Sequence, residues 1–166
     1  MAGKRGYFIS IEGIEGVGKS TAVAHIKRYC EQRSIPLVAT HEPGGTPIAD
    51  AIRAMVLKDW DETLCDESEL LLMFASRVQH VREVIQPALA SGQWVLSDRF
   101  IDATYAYQGG GRGIDSAVID SLVSCLGLKE VMPDKTILLD ADYGTAFERL
   151  SSRGHYDRIE QEKKDF

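Results

Sequence analysis

The stretch "YFISIEGIEGVGKST", residues 7–21, decides the reading of this chain. It runs from an apolar segment through three glycines into Lys19, Ser20 and Thr21. Residues 13–20 match the pattern GxxxxGK[ST] position by position, with Gly13, Gly16 and Gly18 keeping side chains out of a tight loop. A strand before such a loop and a helix after it aim successive backbone N–H groups and a helix N-terminus at one anion. The loop is therefore expected to hold the phosphates of a nucleotide through Gly13, Gly16, Gly18, Lys19, Ser20 and Thr21. Lys19 would reach the outer phosphates, and the Ser20 hydroxyl would ligate Mg²⁺.

Working outward, apolar runs at 7–12, 37–40, 94–98 and 136–140 read as short strands covered on both faces, as in a parallel sheet. Periodic segments lie between them. Residues 19–33 carry Ala22, Ile26 and Tyr29 on one face, and 47–58 place Ile48, Ile52 and Val56 at steps of four behind Pro47. Residues 67–89 form the longest such segment, 115–126 end at Gly127, and one more helix begins near Tyr143. Strands alternating with helices predict an α/β fold, a three-layer α/β/α sandwich around a central parallel sheet with right-handed crossovers.

The 166 residues, 44% hydrophobic, suit a single domain with a sizeable core. A net charge of −6 opposes a nonspecific grip on a nucleic acid polymer or an anionic membrane surface, although a local cluster of arginines can still bind a small anion. No apolar run approaches a membrane span or a signal peptide, so a cytoplasmic protein is expected. Cys30, Cys65 and Cys125 have no metal-binding spacing and are expected to be buried free thiols.

A phosphate loop identifies a donor nucleotide and leaves the reaction open. The chain contains no asparagine, and so lacks the Asn-Lys-x-Asp element expected of a guanine-reading switch. Other segments look like an acceptor site. "SDRF" at 97–100 ends a strand, where ligands gather in open α/β sheets; Asp98 suits a metal and Arg99 suits a phosphate clamp. "HEPGGTPIADAIR" sets a tight Pro-Gly-Gly turn before Arg53. Met73, Phe74 and Arg77 share one helix face, offering an apolar surface beside a guanidinium that can cover a base and bond its carbonyl. In "ATYAYQGGGRG", three glycines predict that a helix through Thr104 ends near Gln108, whose amide can donate or accept.

"IEGIEGVGKST", "EPGGT", "LMFASRVQHV", "SDRF", "YAYQGGGRG" and "DRIEQE" occur in the order and approximate spacing of bacterial thymidylate kinases, and the chain resembles that family over nearly its whole length. The resemblance implies a P-loop NTPase fold, transfer of the ATP γ-phosphoryl group to dTMP with Mg²⁺ on the route to dTTP, and a homodimer. It implies catalytic roles for Lys19, Arg153, Asp98 and Glu15, the last approaching the acceptor sugar's 3′-hydroxyl. Arg53 and Arg99 would hold the acceptor phosphate, Arg77 would address thymine O4, and Met73 or Phe74 would stack. Thr104 and Gln108 would complete the dTMP site. A lid near 149–160 would carry Arg149, Arg153 and Arg158; of these, Arg153 and Arg158 would stabilise charge on the transferred group, while Arg149 would face solvent or support the lid. His41 stands where many relatives have arginine, and is read as a solvent-exposed loop histidine. The family usually continues through a further strand and closing helix, which this sequence lacks.

Overall fold

The computed structural model describes residues 5–151 and 157–161. In chain order its elements are β1 (Phe8–Glu12), α1 (Lys19–Gln32), β2 (Leu37–His41), α2 (Pro47–Leu57), α3 (Asp66–His80), α4 (Gln86–Ala90), β3 (Trp94–Asp98), α5 (Ile101–Thr104), α6 (Ser116–Cys125), β4 (Lys135–Leu138) and α7 (Tyr143–Ser151). Among the described residues the strands form one parallel sheet in the order β2-β3-β1-β4. The predicted three-layer α/β/α architecture is present.

The central strands are as apolar as their burial demands. Phe8, Ile11, Val95 and Leu96 have no exposed surface. Phe8 and Val95 are register partners and belong to the core cluster that joins β1 and β3 to α3, α4, α5 and α6. The Phe8 ring meets Phe100 edge-on at 5.0 Å. The edge strands depart from the expectation of cover on both faces: every residue of β4 is exposed, and β2 is only partly buried.

Two helical expectations need correction. The periodic segment 67–89 is not one α-helix, because Val81–Ile85 widens into a π-helix between α3 and α4. Pro87 lies one turn beyond; a proline has no N–H to give and its ring crowds the preceding turn, which the looser turn accommodates. Nor does the helix at Thr104 stop at Gln108. It continues as a π-helix over Tyr105–Gly111, so the three glycines are helical and the break comes at Gly113. Of the cysteines, Cys30 is buried and Cys65 and Cys125 are exposed, contrary to the uniform expectation.

The seam between β1 and β3 also sets the site. Ile11 pairs with Asp98, and beyond that pair the Arg99 N–H donates to the Ile11 carbonyl at 2.9 Å. The Phe100 N–H donates to Glu12 Oε1 at 2.7 Å. Burial is the largest influence on the Glu12 carboxyl and pushes its pKa up to about 7, against the pull of the Phe100 N–H.

Removing the ring in Phe8→Ala should cost about 3–5 kcal/mol, read as a lower midpoint in urea unfolding. For Glu12, the folded chain retains a proton between pH 4.5 and 7 that the unfolded chain has released, so this group's contribution to stability declines as pH rises through that window. Glu12→Gln keeps an oxygen for Phe100 and removes the titration. Its melting temperature should exceed that of the parent by several degrees at pH 8 and converge on it near pH 5; a pH-independent difference would refute the assignment.

Candidate active site

Strand ends and helix starts build the phosphate loop. Gly18 takes a left-handed backbone (φ 101) and precedes α1, whose first residue is Lys19. Gly16 (φ 79) lies so close to α7 that a Cβ there would fall 2.0 Å from the Ala146 carbonyl oxygen. Lys19 Nζ donates to the carbonyls of Gly13 at 2.9 Å and Ile14 at 2.8 Å. Burial chiefly, with Arg99 adding to it, lowers the Lys19 pKa to about 8, while Glu15, Asp98 and Glu12 oppose the change.

Of the three cavities that border this loop, two take in most of the expected site residues. The first, about 450 Å³, is lined by Gly16, Gly18, Lys19, Ser20 and Thr21 together with Asp98 and Arg149. The second lies between α2, α3 and α5, with Met73, Arg77, Phe100, Thr104 and Gln108 on its walls. Glu15, Arg53 and Arg99 line both. The clamp expected from "SDRF" thus stands where the two cavities meet.

Arg99 is one of two described non-glycine residues with positive φ (71°). That conformation is costly for a residue with a Cβ and persists where surrounding bonds fix it. Here Ser97 Oγ donates to the Arg99 carbonyl at 2.7 Å, and the Arg99 N–H is taken by Ile11. The guanidinium is consequently aimed back at the loop, where Nη2 pairs with Glu15 and donates to the Tyr107 hydroxyl at 3.1 Å. Tyr107 in turn donates to Glu15 Oε2 at 2.7 Å. Burial works to raise the Glu15 pKa, yet Arg99 and Tyr107 outweigh it and leave the carboxyl below its usual range.

Arg77 is buried and held at three points. Its Nε donates to Glu42 Oε2 at 2.7 Å, Nη1 to Thr104 Oγ1 at 2.9 Å and Nη2 to the Phe100 carbonyl at 2.9 Å. Glu42 Oε1 lies 2.9 Å from His80 Nδ1, whose other ring nitrogen lies 2.7 Å from Thr40 Oγ1. Gly45 (φ 90) leaves room for that ring, since a Cβ there would lie 2.5 Å from it. Arg53 is steadied by the Pro43 carbonyl at 3.0 Å.

Several expected placements change. Phe74 does not face the cavity: its ring is packed in the core beneath the Arg77 guanidinium, and Met73, four residues before Arg77, takes the wall instead. Arg158 does not point at the phosphate loop. Its Nε donates to the Val56 carbonyl at 2.9 Å and its Nη2 pairs with Glu69, docking 157–161 onto the end of α2. Arg149, read from sequence as facing solvent or supporting the lid, lies on the phosphate cavity. Arg153 falls outside the described residues. His41 is exposed as expected, but it borders the phosphate cavity, 3.4 Å from Asp50.

Sequence reasoning missed Glu42, Glu69, His80, Phe100 and Tyr107. One signal was present for Glu69: it precedes Met73 and Arg77 by four and eight residues, and so shares their helix face.

The sequence model of the thymidylate kinase family matches residues 11–166. A thymidylate kinase of Marinomonas sp. (strain MWYL1) is 48% identical over 162 residues, covering 98% of this chain and 76% of that protein. One from Methylococcus capsulatus (strain ATCC 33009 / NCIMB 11132 / Bath) is 50% identical over 163 residues, covering 97% and 76%. The crystal structure of thymidylate kinase from Ehrlichia chaffeensis superposes with a TM-score of 0.76 at 37% identity, over 89% of this chain and 83% of that one. With a family match over most of its length, close relatives and a shared fold, the chain belongs to the thymidylate kinase family.

Proposed function

We propose that this protein transfers the γ-phosphoryl group of ATP to dTMP, giving dTDP and ADP. Family membership supports the reaction, and one observation supports its location: Glu15, Arg53 and Arg99 form a wall common to the phosphate cavity and the second cavity. A donor held by the loop and an acceptor lying between α2, α3 and α5 would bring their phosphates together there. Phosphoryl transfer needs mainly such alignment and compensation of charge.

Each residue then has a task. The loop amides, Lys19, Ser20 and Thr21 hold the donor phosphates. Arg53 and Arg99 hold the acceptor phosphate, and Arg149 adds positive charge beside the transferred group. Glu15, ionised and fixed by Tyr107, is placed to take the acceptor sugar hydroxyl. Met73 covers the base. Arg77 uses three of its five N–H groups on the protein, which leaves two for a base carbonyl. Thr104 fixes Arg77, and Gln108 reads the adjacent edge.

Ser20 and Asp98 both line the phosphate cavity and supply a hydroxyl and a carboxylate, hard oxygen donors that suit Mg²⁺. Among the described residues no cluster of three or more His, Cys, Asp or Glu side chains is placed to hold a metal. Ser20 and Asp98 would hold such an ion, which would supply positive charge to offset that of the donor phosphates. No described helix is long and apolar enough to cross a membrane, in keeping with a cytoplasmic location, and a homodimer is the assembly we infer from the family resemblance.

A coupled ADP-release assay should show turnover that depends on dTMP and is far slower with AMP, GMP or dCMP; equal turnover of AMP would overturn the assignment. Arg99→Ala should raise the dTMP KM about ten- to a hundredfold with ATP binding little changed, as expected for loss of charge-assisted bonds. Arg149→Ala should instead lower kcat by about tenfold or more at saturating dTMP. Unaltered constants in both would remove these roles.

A further inference from the structure

Glu69 has no exposed surface, and donors from two other parts of the chain converge on its carboxylate. Gln108 Nε2 donates to Oε1 at 2.7 Å and Arg112 Nη2 to Oε2 at 3.2 Å, while Arg158 Nη2 also pairs with Oε2. Burial would raise its pKa, but the bonds from Gln108, Arg158 and Arg112 prevail and hold it below the usual carboxylate range. Glu69 is therefore ionised at neutral pH and has no proton to offer. An acceptor-only partner fixes an amide: the NH₂ of Gln108 must face Glu69, and the amide oxygen must face away.

Gln108 borders the second cavity together with Arg77. The cavity consequently presents guanidinium donors next to an amide acceptor. A 4-oxo pyrimidine with hydrogen on N3 offers the complementary pair. A 4-amino pyrimidine offers a donor to the guanidinium and an acceptor to the amide oxygen, a mismatch at both points. Turning the amide over to suit it would set the Gln108 oxygen against the Glu69 carboxylate, two acceptors with no proton between them.

We propose that Glu69 is a positioning residue for base selection: by locking the Gln108 amide with its oxygen toward the cavity, it commits the site to 4-oxo pyrimidine nucleotides. Through Arg158 the same carboxylate anchors residues 157–161, of which Asp157 and Ile159 also line that cavity. The segment that closes one side of the acceptor site and the residue that reads the base thus share one buried charge. This inference rests on the kinase reading above.

The test is the ratio of kcat/KM for dTMP to that for dCMP. Wild-type enzyme should favour dTMP strongly. In Glu69→Gln the new side chain can donate as well as accept, so the Gln108 amide is no longer locked, and the ratio should fall about tenfold or more. Glu69→Asp keeps an acceptor-only anion and should retain most of the ratio even where its dTMP KM rises, a contrast that mere loosening of the fold would not produce. A wild-type preference kept in full by Glu69→Gln overturns the inference and leaves the kinase reading standing, whereas a wild-type enzyme without preference refutes both. If Glu69→Gln does not fold, wild-type enzyme decides. The Gln108 NH₂ hydrogens, assigned by their loss in Gln108→Met, should be protected from exchange before dTMP is added. Protection that arises only with dTMP would mean that the NH₂ faces the base, and would overturn the inference.

Discussion

The site depends on the parallel pairing of β1 with β3. Parallel strands end at the same edge, so the register that sets Ile11 beside Asp98 also sets the phosphate loop beside Arg99. Two further bonds continue the pairing beyond the strands: the Arg99 N–H to the Ile11 carbonyl, and the Phe100 N–H to Glu12. The seam therefore fixes the direction in which the polypeptide leaves β3 as well as its height. The left-handed backbone at Arg99 follows from that constraint, and it turns the guanidinium toward the donor loop.

Three buried or half-buried carboxylates then hold the side chains that would meet the acceptor. Glu15 pairs with Arg99 and Tyr107, Glu42 with Arg77 and His80, and Glu69 with Gln108, Arg112 and Arg158. Burying such pairs brings little net stability, because desolvation offsets most of the attraction. What it brings is orientation. A guanidinium bonded on three edges cannot wander among rotamers, so little freedom remains to be lost when a base or phosphate arrives. Among the described residues no buried side-chain polar atom lacks a partner, which is the condition for such networks to hold a single arrangement.

What could be read from sequence was local. The phosphate loop, Arg53, Met73, Arg77, Asp98 and Arg99 lie at spacings dictated by one turn, one helix face or one strand end, and all of them reach the two cavities. What escaped depends on contacts far apart in the chain. Glu42 and His80 are 38 residues apart, and Glu15 and Tyr107 are 92 apart; neither pairing leaves a periodic trace. Phe74 was ambiguous because positions three and four residues before Arg77 both flank it, and only the neighbouring core decides which one faces inward. The run Gly109–Gly111 misled for a related reason. Propensity argues against helix there, but the π-turn spacing and the pairing of Gln108 and Arg112 with Glu69 on either side of the glycines override it. Arg158 followed a motif's position in sequence, whereas its docking on Val56 and Glu69 is a tertiary event.

An acidic protein that takes two polyanions presents an electrostatic conflict, and distance resolves it. At a net charge of −6 the far field repels nucleotides, but at physiological ionic strength that field decays over about 8 Å. Inside the phosphate cavity Lys19, Arg53, Arg99 and Arg149 surround one space at much shorter range, in surroundings dry enough to bring the Lys19 pKa down to about 8. Glu15, Glu42, Asp98, Asp157 and Glu160 line the same space, so the cations work by position and not by number. Glu15 is the counterweight: it pairs with Arg99, and in the proposed reaction it would share that guanidinium with the acceptor phosphate. The Tyr107 hydroxyl, with a pKa raised chiefly by burial, keeps its proton and gives Glu15 another bond to rely on as that sharing takes place. Phosphate capture at this wall would thus be an exchange between anions already organised around one arginine, costing less reorganisation than charging an empty apolar cleft.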